Sequence, residues 1–475
     1  MTTEFFPVPE WVSDAVFYQI FPDRFCKSSK HPHVSAFAQW GSIPTQHCYM
    51  GGDLYGIEAQ IPYLKELGVT ALYLTPIFVS ASNHRYHTDD YYHVDPLLGG
   101  DVAFRSLLDK AHAAGIKIML DGVFNHCGRG FMPFHHVVEN GADSPYRDWF
   151  YIDSFPLYPY DESQPAGYTS WWDIRALPKL NVDFPPVRQF LLDVAVYWIK
   201  FGIDGWRLDV PNEIADHGFW RDFRIAVKRI NPEAYIVGEI WDDASPWLDG
   251  TQFDAVMNYP TRTLMVDFFA KRSIGVHEFT AGIEHELQRY TPDHTRVGFN
   301  LFGSHDTERF LTLAEQHVGR LKVAVLFLMT YVGVPCLYYG DEIGLVGGKD
   351  PLNRAAFDWD VQHWQSGLRE WVMQCIALRQ RFVALRQGQL TIIHAHASGR
   401  TVAYARTLGR EILIIAINAS DADTTIDILL SGLGIDDEML MHDQLSAWSY
   451  VVTTQRVQRV KVPANGGAVL QVARR

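Results

Sequence analysis

The segment Ile203-Asp-Gly-Trp-Arg-Leu-Asp-Val210 decides how the chain is read. It is a short run of β character that begins apolar and ends on charged residues. It follows a stretch in which Val187, Phe190, Leu191, Val194 and Trp198 recur at helical spacing. A helix feeding such a strand is half of a βαβ unit, and the pairing recurs. Residues 69–74 follow Ile57, Ile61 and Leu64, and residues 116–124 follow Phe104, Leu107, Leu108 and Ala111. Runs at 16–21, 235–240, 253–257, 297–302 and 334–339 complete eight β-type segments. Alternation of this kind implies a parallel sheet, and eight units imply an α/β fold of the closed (β/α)8 TIM-barrel type.

Two stretches break the alternation. Residues 127–182, rich in Pro, Gly, Asp and aromatics, are too long for an ordinary connection and are expected to form a small domain inserted after strand three. From 385 onward short β-type runs such as 401–404 and 412–417 predict a C-terminal antiparallel β-sandwich. The expected division is therefore barrel at 1–126 and 183–384, insertion at 127–182 and sandwich at 385–475.

Composition narrows the function. Lys and Arg number 41 against 55 Asp and Glu, a formal charge of −14, which argues against binding nucleic acid. The five cysteines are odd in number and form no Cys-x-x-Cys pair, so neither a disulfide framework nor a structural zinc site is expected. No stretch of about 18 apolar residues is present, and residues 1–12 lack a basic and an apolar region. No membrane span and no leader are expected, and a reducing cytoplasm is the expected location. No His-Glu-x-x-His pattern and no Gly-rich phosphate loop occurs, so no metal and no cofactor is expected. The oligomeric state is left open. Aromatic residues make up 13% of the chain, enough both to pack a core and to line a cleft for sugar faces.

Parallel barrels carry their chemistry where strands end. Here strand three ends Asp121-Gly-Val-Phe-Asn-His126, strand four Arg207-Leu-Asp209, strand five Glu239-Ile-Trp241 and strand seven His305-Asp306. A lone Asp after a strand is commonly a helix cap, which is the reading for Asp216 and Asp360. Four polar strand ends at one mouth are hard to explain as independent caps. Carboxylates converging there suit glycosidic cleavage, in which one protonates the leaving oxygen and another attacks or stabilises an oxocarbenium-like centre. Arg207 and Asp209, two apart in a strand, share a face. The cation should keep Asp209 ionised, making it the nucleophile and Glu239 the acid.

Together these blocks resemble the α-amylase superfamily of glycoside hydrolases, from about Asp14 to the C-terminus. Its four short blocks are matched by Asp121-Gly-Val-Phe-Asn-His126, Gly205-Trp-Arg-Leu-Asp-Val-Pro-Asn-Glu213, Gly238-Glu-Ile-Trp241 and Phe302-Gly-Ser-His-Asp306. The resemblance implies Asp209 as nucleophile, Glu239 as general acid/base and Asp306 as transition-state stabiliser. It implies sugar contacts at subsite −1 for His126, Arg207 and His305, stacking under that sugar by Tyr86, and a supporting role for Asp121. Asn212-Glu213, Leu177-Pro-Lys-Leu-Asn181, Tyr338-Tyr-Gly-Asp-Glu-Ile343 and Gly347-Gly-Lys-Asp-Pro351 resemble the neopullulanase, cyclomaltodextrinase and maltogenic amylase group. That likeness implies substrate contacts for Asp350 and Arg354 and a place for Trp241 beside the +1 and +2 subsites. The implied substrates are small α-glucans: cyclodextrins, maltooligosaccharides and pullulan.

The chain departs from that group at Pro211, where Ala is usual, and at His87, where an acid is usual. It also starts almost directly at the barrel, without the group's N-terminal β-domain. Calcium is not expected, because Gly51-Gly-Asp53 is accompanied by Cys26-Lys-Ser-Ser-Lys30 rather than an Asp/Asn-rich loop. Asp53 is read instead as the cap of a helix starting near Gly56. The leading expectation is a retaining α-glucan hydrolase with its carboxyl groups about 5–5.5 Å apart. A transglycosylase or debranching enzyme on the same scaffold is the alternative, and a non-catalytic sugar-binding protein the remote one.

Overall fold

The computed structural model describes residues 6–30, 37–396 and 399–472. Eight short parallel strands form its centre: β1 (Phe17–Ile20), β2 (Ala71–Leu74), β3 (Lys117–Gly122), β4 (Gly205–Leu208), β5 (Tyr235–Gly238), β6 (Ala255–Val256), β7 (Phe299–Leu301) and β8 (Val334–Tyr338). Each pairs with the next from β1 to β6, β7 pairs with β8, and β8 returns to β1. A single parallel bridge, Met257 to Phe299, closes the remaining gap between β6 and β7. This is a closed (β/α)8 barrel.

Strand parity divides the core, because successive side chains point to opposite faces. Phe17, Tyr73, Met119, Tyr235, Val237, Phe299, Leu301 and Val334 form one buried cluster, inside the barrel. Their neighbours Tyr18, Ile20, Leu72, Leu74, Ile118, Leu120, Trp206, Leu208 and Ile236 belong to the larger cluster shared with the helices. Gly205 sits at a narrow point: a Cβ there would lie 2.4 Å from the Tyr235 carbonyl oxygen.

Helices Gly100–Ala113, Pro185–Phe201, His217–Ile230, Val276–Arg289, Val318–Thr330 and Leu368–Arg381 pack around the strands. The expected alternation fails once. Between β5 and β6 the chain forms only the 3-10 turn Ser245–Trp247. The reason is local: Asp243 accepts from the Ser245 amide and hydroxyl, and Asp249 from the Thr251 amide and hydroxyl. Such side-chain bonds compete with a helix for the backbone donors.

Within 127–182 the chain forms the helix Met132–Asn140, short 3-10 turns and isolated antiparallel bridges such as His126 to Lys179 and Ser170 to Pro178. The first of these ties the segment's far end back to the chain just after β3, and the second closes the segment on itself. Beyond the barrel, β9 (Gln389–His396), β10 (Thr401–Leu408), β11 (Glu411–Asn418), β12 (Thr424–Leu429), β13 (Leu440–Asp443), β14 (Ser449–Val451), β15 (Arg456–Val462) and β16 (Gly466–Val472) are antiparallel. Six form one sheet in the order β9-β10-β11-β16-β13-β14, and β12 pairs with β15 in a second.

Burial along β10 and β11 does not alternate, because both faces of that sheet are covered. Val402, Tyr404, Leu413, Ile415 and Ile417 join the barrel's outer core. Ala403, Ala405, Ile414 and Ala416 pack with Ile426, Ile428, Val457 and Val460 of the second sheet. The Tyr404 hydroxyl, 2.6 Å from the Thr330 hydroxyl, joins the sandwich to a barrel helix.

Three aspartates read as caps are caps. Asp216 accepts from the Gly218 amide, Asp360 from the Gln362 amide and Asp53 from the Gly56 amide at 2.7 Å. The second oxygen of Asp53 accepts from the amide and hydroxyl of Ser28. Because Asp53 is buried and Asp360 exposed, Asp53→Ala should lower unfolding free energy by about 2 kcal/mol and Asp360→Ala by about 0.5 kcal/mol. Urea denaturation of the two variants beside the parent chain measures the difference.

Candidate active site

Parity also places the chemistry. Asp121 and Arg207 occupy inward positions of β3 and β4, Asp209 and Glu239 continue the inward registers of β4 and β5, and His305-Asp306 follow β7. Arg207 is fully buried among them. Its Nη1 lies 2.7 Å from Asp121 Oδ1 and 3.0 Å from Asp209 Oδ1, and its Nη2 lies 2.8 Å from Glu239 Oε2. One guanidinium thus holds three carboxylates from three strands. The fork geometry of arginine makes this possible; a lysine is a single point charge.

Asp121 is wholly engaged, taking bonds from Tyr73 Oη at 2.6 Å, Tyr86 Oη at 2.8 Å and Arg207. That fits a supporting residue. It also sets a proton relay of fixed direction. An ionised carboxylate only accepts, so Tyr86 must donate to Asp121. The Tyr86 oxygen then accepts from His305 Nε2, 2.6 Å away, and His305 Nδ1 accepts from Gln19 Nε2 at 2.8 Å. His305 is thereby a neutral imidazole, and burial with Arg354 and Arg207 nearby pushes its pKa well down. Gln19 is the residue that sequence reading missed. Its signal was present: it is the single polar residue of Ala15-Val-Phe-Tyr-Gln-Ile-Phe21.

Asp306 keeps 29% of its side chain exposed at the mouth, 3.1 Å from His305 Nε2 and 3.4 Å from Arg354 Nη2. Arg354 also contacts Asp350 at 3.1 Å and donates to the His305 carbonyl. The pair expected from sequence therefore stands beside the stabiliser. His126 Nε2 is 4.0 Å from Asp209 Oδ2, and burial lowers the His126 pKa to about 3, leaving it neutral. Trp241 donates to Glu239 Oε1 at 3.2 Å and lies flat on Tyr259, with ring centroids 3.6 Å apart. Trp171 stacks on His126 and Trp172 on Trp171, so the inserted segment adds an aromatic wall. Sequence reading found neither Tyr259 nor the tryptophan pair.

Pro211 leaves a visible mark. Val210 before it takes a left-handed conformation, φ +37°, uncommon for a β-branched residue. In that conformation the Val210 amide donates to Glu239 Oε2 at 3.1 Å. The strand-to-turn junction is thus bent so that its amide meets the Glu239 carboxyl.

The electrostatics correct one expectation. Arg207 was expected to single out Asp209 for ionisation, yet it approaches Glu239 just as closely. Burial pushes Glu239 up to about 7 against the pull of Arg207. Burial pushes Asp209 well up too; Arg207 opposes, while Glu239, Asp121 and Asp306 add to the rise. The carboxyl cluster therefore titrates as one unit that retains protons near neutrality. Among the described residues, no group of three or more His, Cys, Asp or Glu side chains is arranged to hold a metal ion.

A closed parallel barrel whose strand ends join a protonated carboxyl and a second carboxyl on one cation has the equipment of a glycoside hydrolase. The family model for the alpha-amylase catalytic domain matches residues 19–383, and the chain belongs to that family. It is 46% identical to a cyclomaltodextrinase of Geobacillus thermopakistaniensis over 91% of this chain and 73% of the relative. It is 44% identical to neopullulanase 2 of Thermoactinomyces vulgaris over 89% of this chain and 72% of that one. The crystal structure of a debranching enzyme from Nostoc punctiforme superposes with a TM-score of 0.88 at 43% identity, covering 98% of this chain and 100% of the other.

As the acid expected from sequence, Glu239 must carry its proton to act, and its pKa is raised to about 7. The kcat/KM for an unactivated glucan should therefore fall as pH rises through about 7, and fall again on the acid side as Asp209 gains a proton. Gln19→Leu should lower kcat/KM by roughly five- to a hundredfold, because it leaves a buried His305 nitrogen unpaired. A pH–rate profile and steady-state kinetics on maltoheptaose check both.

Proposed function

We propose that the protein hydrolyses α-1,4 bonds, and also α-1,6 bonds, of small α-glucans such as cyclodextrins, maltooligosaccharides and pullulan, with retention through a covalent glucosyl-enzyme. The observation that carries this is the placement of Asp209 and Glu239 on adjacent nitrogens of one guanidinium. Two carboxyls bridged so closely favour direct attack over activation of an intervening water. Asp209 attacks the anomeric carbon as Glu239 gives its proton to the leaving oxygen. Glu239 then takes a proton from the water that releases the sugar. The raised pKa of Glu239 suits that alternation between acid and base.

In this reading Asp306 bonds hydroxyls of the −1 sugar as charge develops, Tyr86 stacks beneath it, His126 donates to its hydroxyls, and His305, its N–H held by Tyr86, lines the same subsite. Trp241 on Tyr259 gives the leaving side a flat apolar face, and Asp350 with Arg354 receives the non-reducing side. The relatives named cyclomaltodextrinase, neopullulanase and debranching enzyme support small and branched α-glucans as substrates.

We assign 1–126 and 183–384 to the catalytic barrel, 127–182 to the insertion and 385–475 to the sandwich. No metal takes part in this mechanism, since Asp53 spends both oxygens on protein donors. A reducing cytoplasm fits five free thiols, four of them buried. None of the helices among the described residues is long and apolar enough to cross a membrane.

The two carboxylates should differ in kind when changed. Glu239→Gln should lose most activity on maltoheptaose yet release fluoride rapidly from α-maltosyl fluoride, whose leaving group needs no proton. Asp209→Asn should do neither. Equal rescue of both would refute the roles, and a first product of inverted anomeric configuration, followed by NMR, would refute retention.

A further inference from the structure

A second concave surface lies away from the mouth, between the barrel helices Val318–Thr330 and Leu368–Arg381 and the sandwich. It is a groove of about 930 Å³, and none of its lining residues belongs to the catalytic cluster. That volume is at the upper end of the range of about 300–1,000 Å³ typical of small-molecule sites.

Two tryptophans line it, one from each side. Trp371 on the barrel side is anchored through its Nε1 to the Lys322 carbonyl at 2.8 Å. Trp448, on the loop between β13 and β14, is 50% exposed. A half-exposed indole beside a groove offers a flat apolar face with a polar edge to a ligand. Lys461 holds that ring in place, its ammonium 3.5 Å from the ring centroid.

The polar lining discriminates among ligands. Lys322 and Lys461 face the groove beside Asp423 and Asp443, so the formal charges cancel. An anion would meet carboxylates there, and a cation would meet ammonium groups. Asp443 is already spent, accepting from the Leu445 and Val469 amides. Asp423 uses one oxygen on the Ala464 amide. Its other oxygen, the Thr425 hydroxyl and the Lys322 ammonium make no side-chain hydrogen bond or ion pair among the described residues. What remains is flat apolar rings among spare, charge-balanced hydrogen-bonding groups. A neutral pyranose has the matching chemistry, with C–H faces to lie on tryptophan and hydroxyls that both donate and accept.

We propose that this groove is a non-catalytic binding site for an α-1,4-glucan segment, with Trp448 and Trp371 as its sugar platforms. It rests on the α-glucan reading of the catalytic mouth. A chain held there while another part enters the mouth raises the effective concentration of long substrates over short ones.

The test uses the full chain carrying Glu239→Gln, so that the probe survives, and titrates it calorimetrically with maltoheptaose. Two classes of site are expected, the weaker with a Kd on the order of 1 mM. Adding Trp448→Ala, or separately Thr425→Arg to obstruct the groove, should weaken that class about tenfold or more. The same changes in the otherwise unaltered enzyme should leave kcat/KM for 4-nitrophenyl α-maltoside within about twofold and reduce it for soluble starch. A single class that the groove variants leave unchanged, or a second class surviving both of them, overturns the proposal. Loss of the tight class alone, with the weak one intact and sensitive to Trp448→Ala, would uphold the groove and count against the catalytic reading. Absence of both classes would overturn both.

Discussion

The Arg207 guanidinium is the constraint on which the site depends. It is fully buried and lies within 3.0 Å of carboxylates from three neighbouring barrel strands. At an effective dielectric near 20, each such contact is worth about 4 kcal/mol of attraction. Burying one cation and three carboxylates costs several kcal/mol per ion. The cluster is therefore not there for stability. Burial above all, with Asp306 and Asp121 adding to it, pushes the Glu239 carboxyl up to about 7 against the pull of Arg207.

The barrel converts this electrostatic requirement into geometry. Strand period places Asp121, Arg207, Asp209 and Glu239 inward at one end, where Tyr73 and Tyr86 supply further donors. Supporting contacts come from distant sequence: Gln19 on the first strand orients His305 after the seventh. Asn353 in turn holds the His305 carbonyl at 2.6 Å. Fixing the His305 ring this way requires β8 to pair with both β1 and β7, which meet only through it.

Much of this was legible beforehand for definite reasons. A β-type run after each helical stretch gave the barrel, and polar residues at strand ends could not be accounted for as caps. Where a single residue did read as a cap, as with Asp53, Asp216 and Asp360, its side chain bonds the local backbone, an interaction of short range. The missing helix after β5 was less visible, since short Asp-x-Ser and Asp-x-Thr bonds outcompeted it. The β-type runs at 401–404 and 412–417 gave no sign that their sheet is covered on both faces, which the barrel helices and the second sheet decide. Tyr259 and the Trp171-Trp172 pair carried no periodic signal at all.

The sequence by itself determined the period, parity and residue types: which carboxylates could face one mouth, and which elements would surround them. It did so because helix and strand geometry are local properties of the backbone. Only the tertiary structure decided the partition of charge. Arg207 was two residues from Asp209 in sequence, yet in space it serves Glu239 at 2.8 Å, as near as its own strand neighbour. Burial and the neighbouring carboxylates Asp306 and Asp121, brought together from segments remote in sequence, raise the Glu239 pKa, while Arg207 and the Val210 amide hold it down.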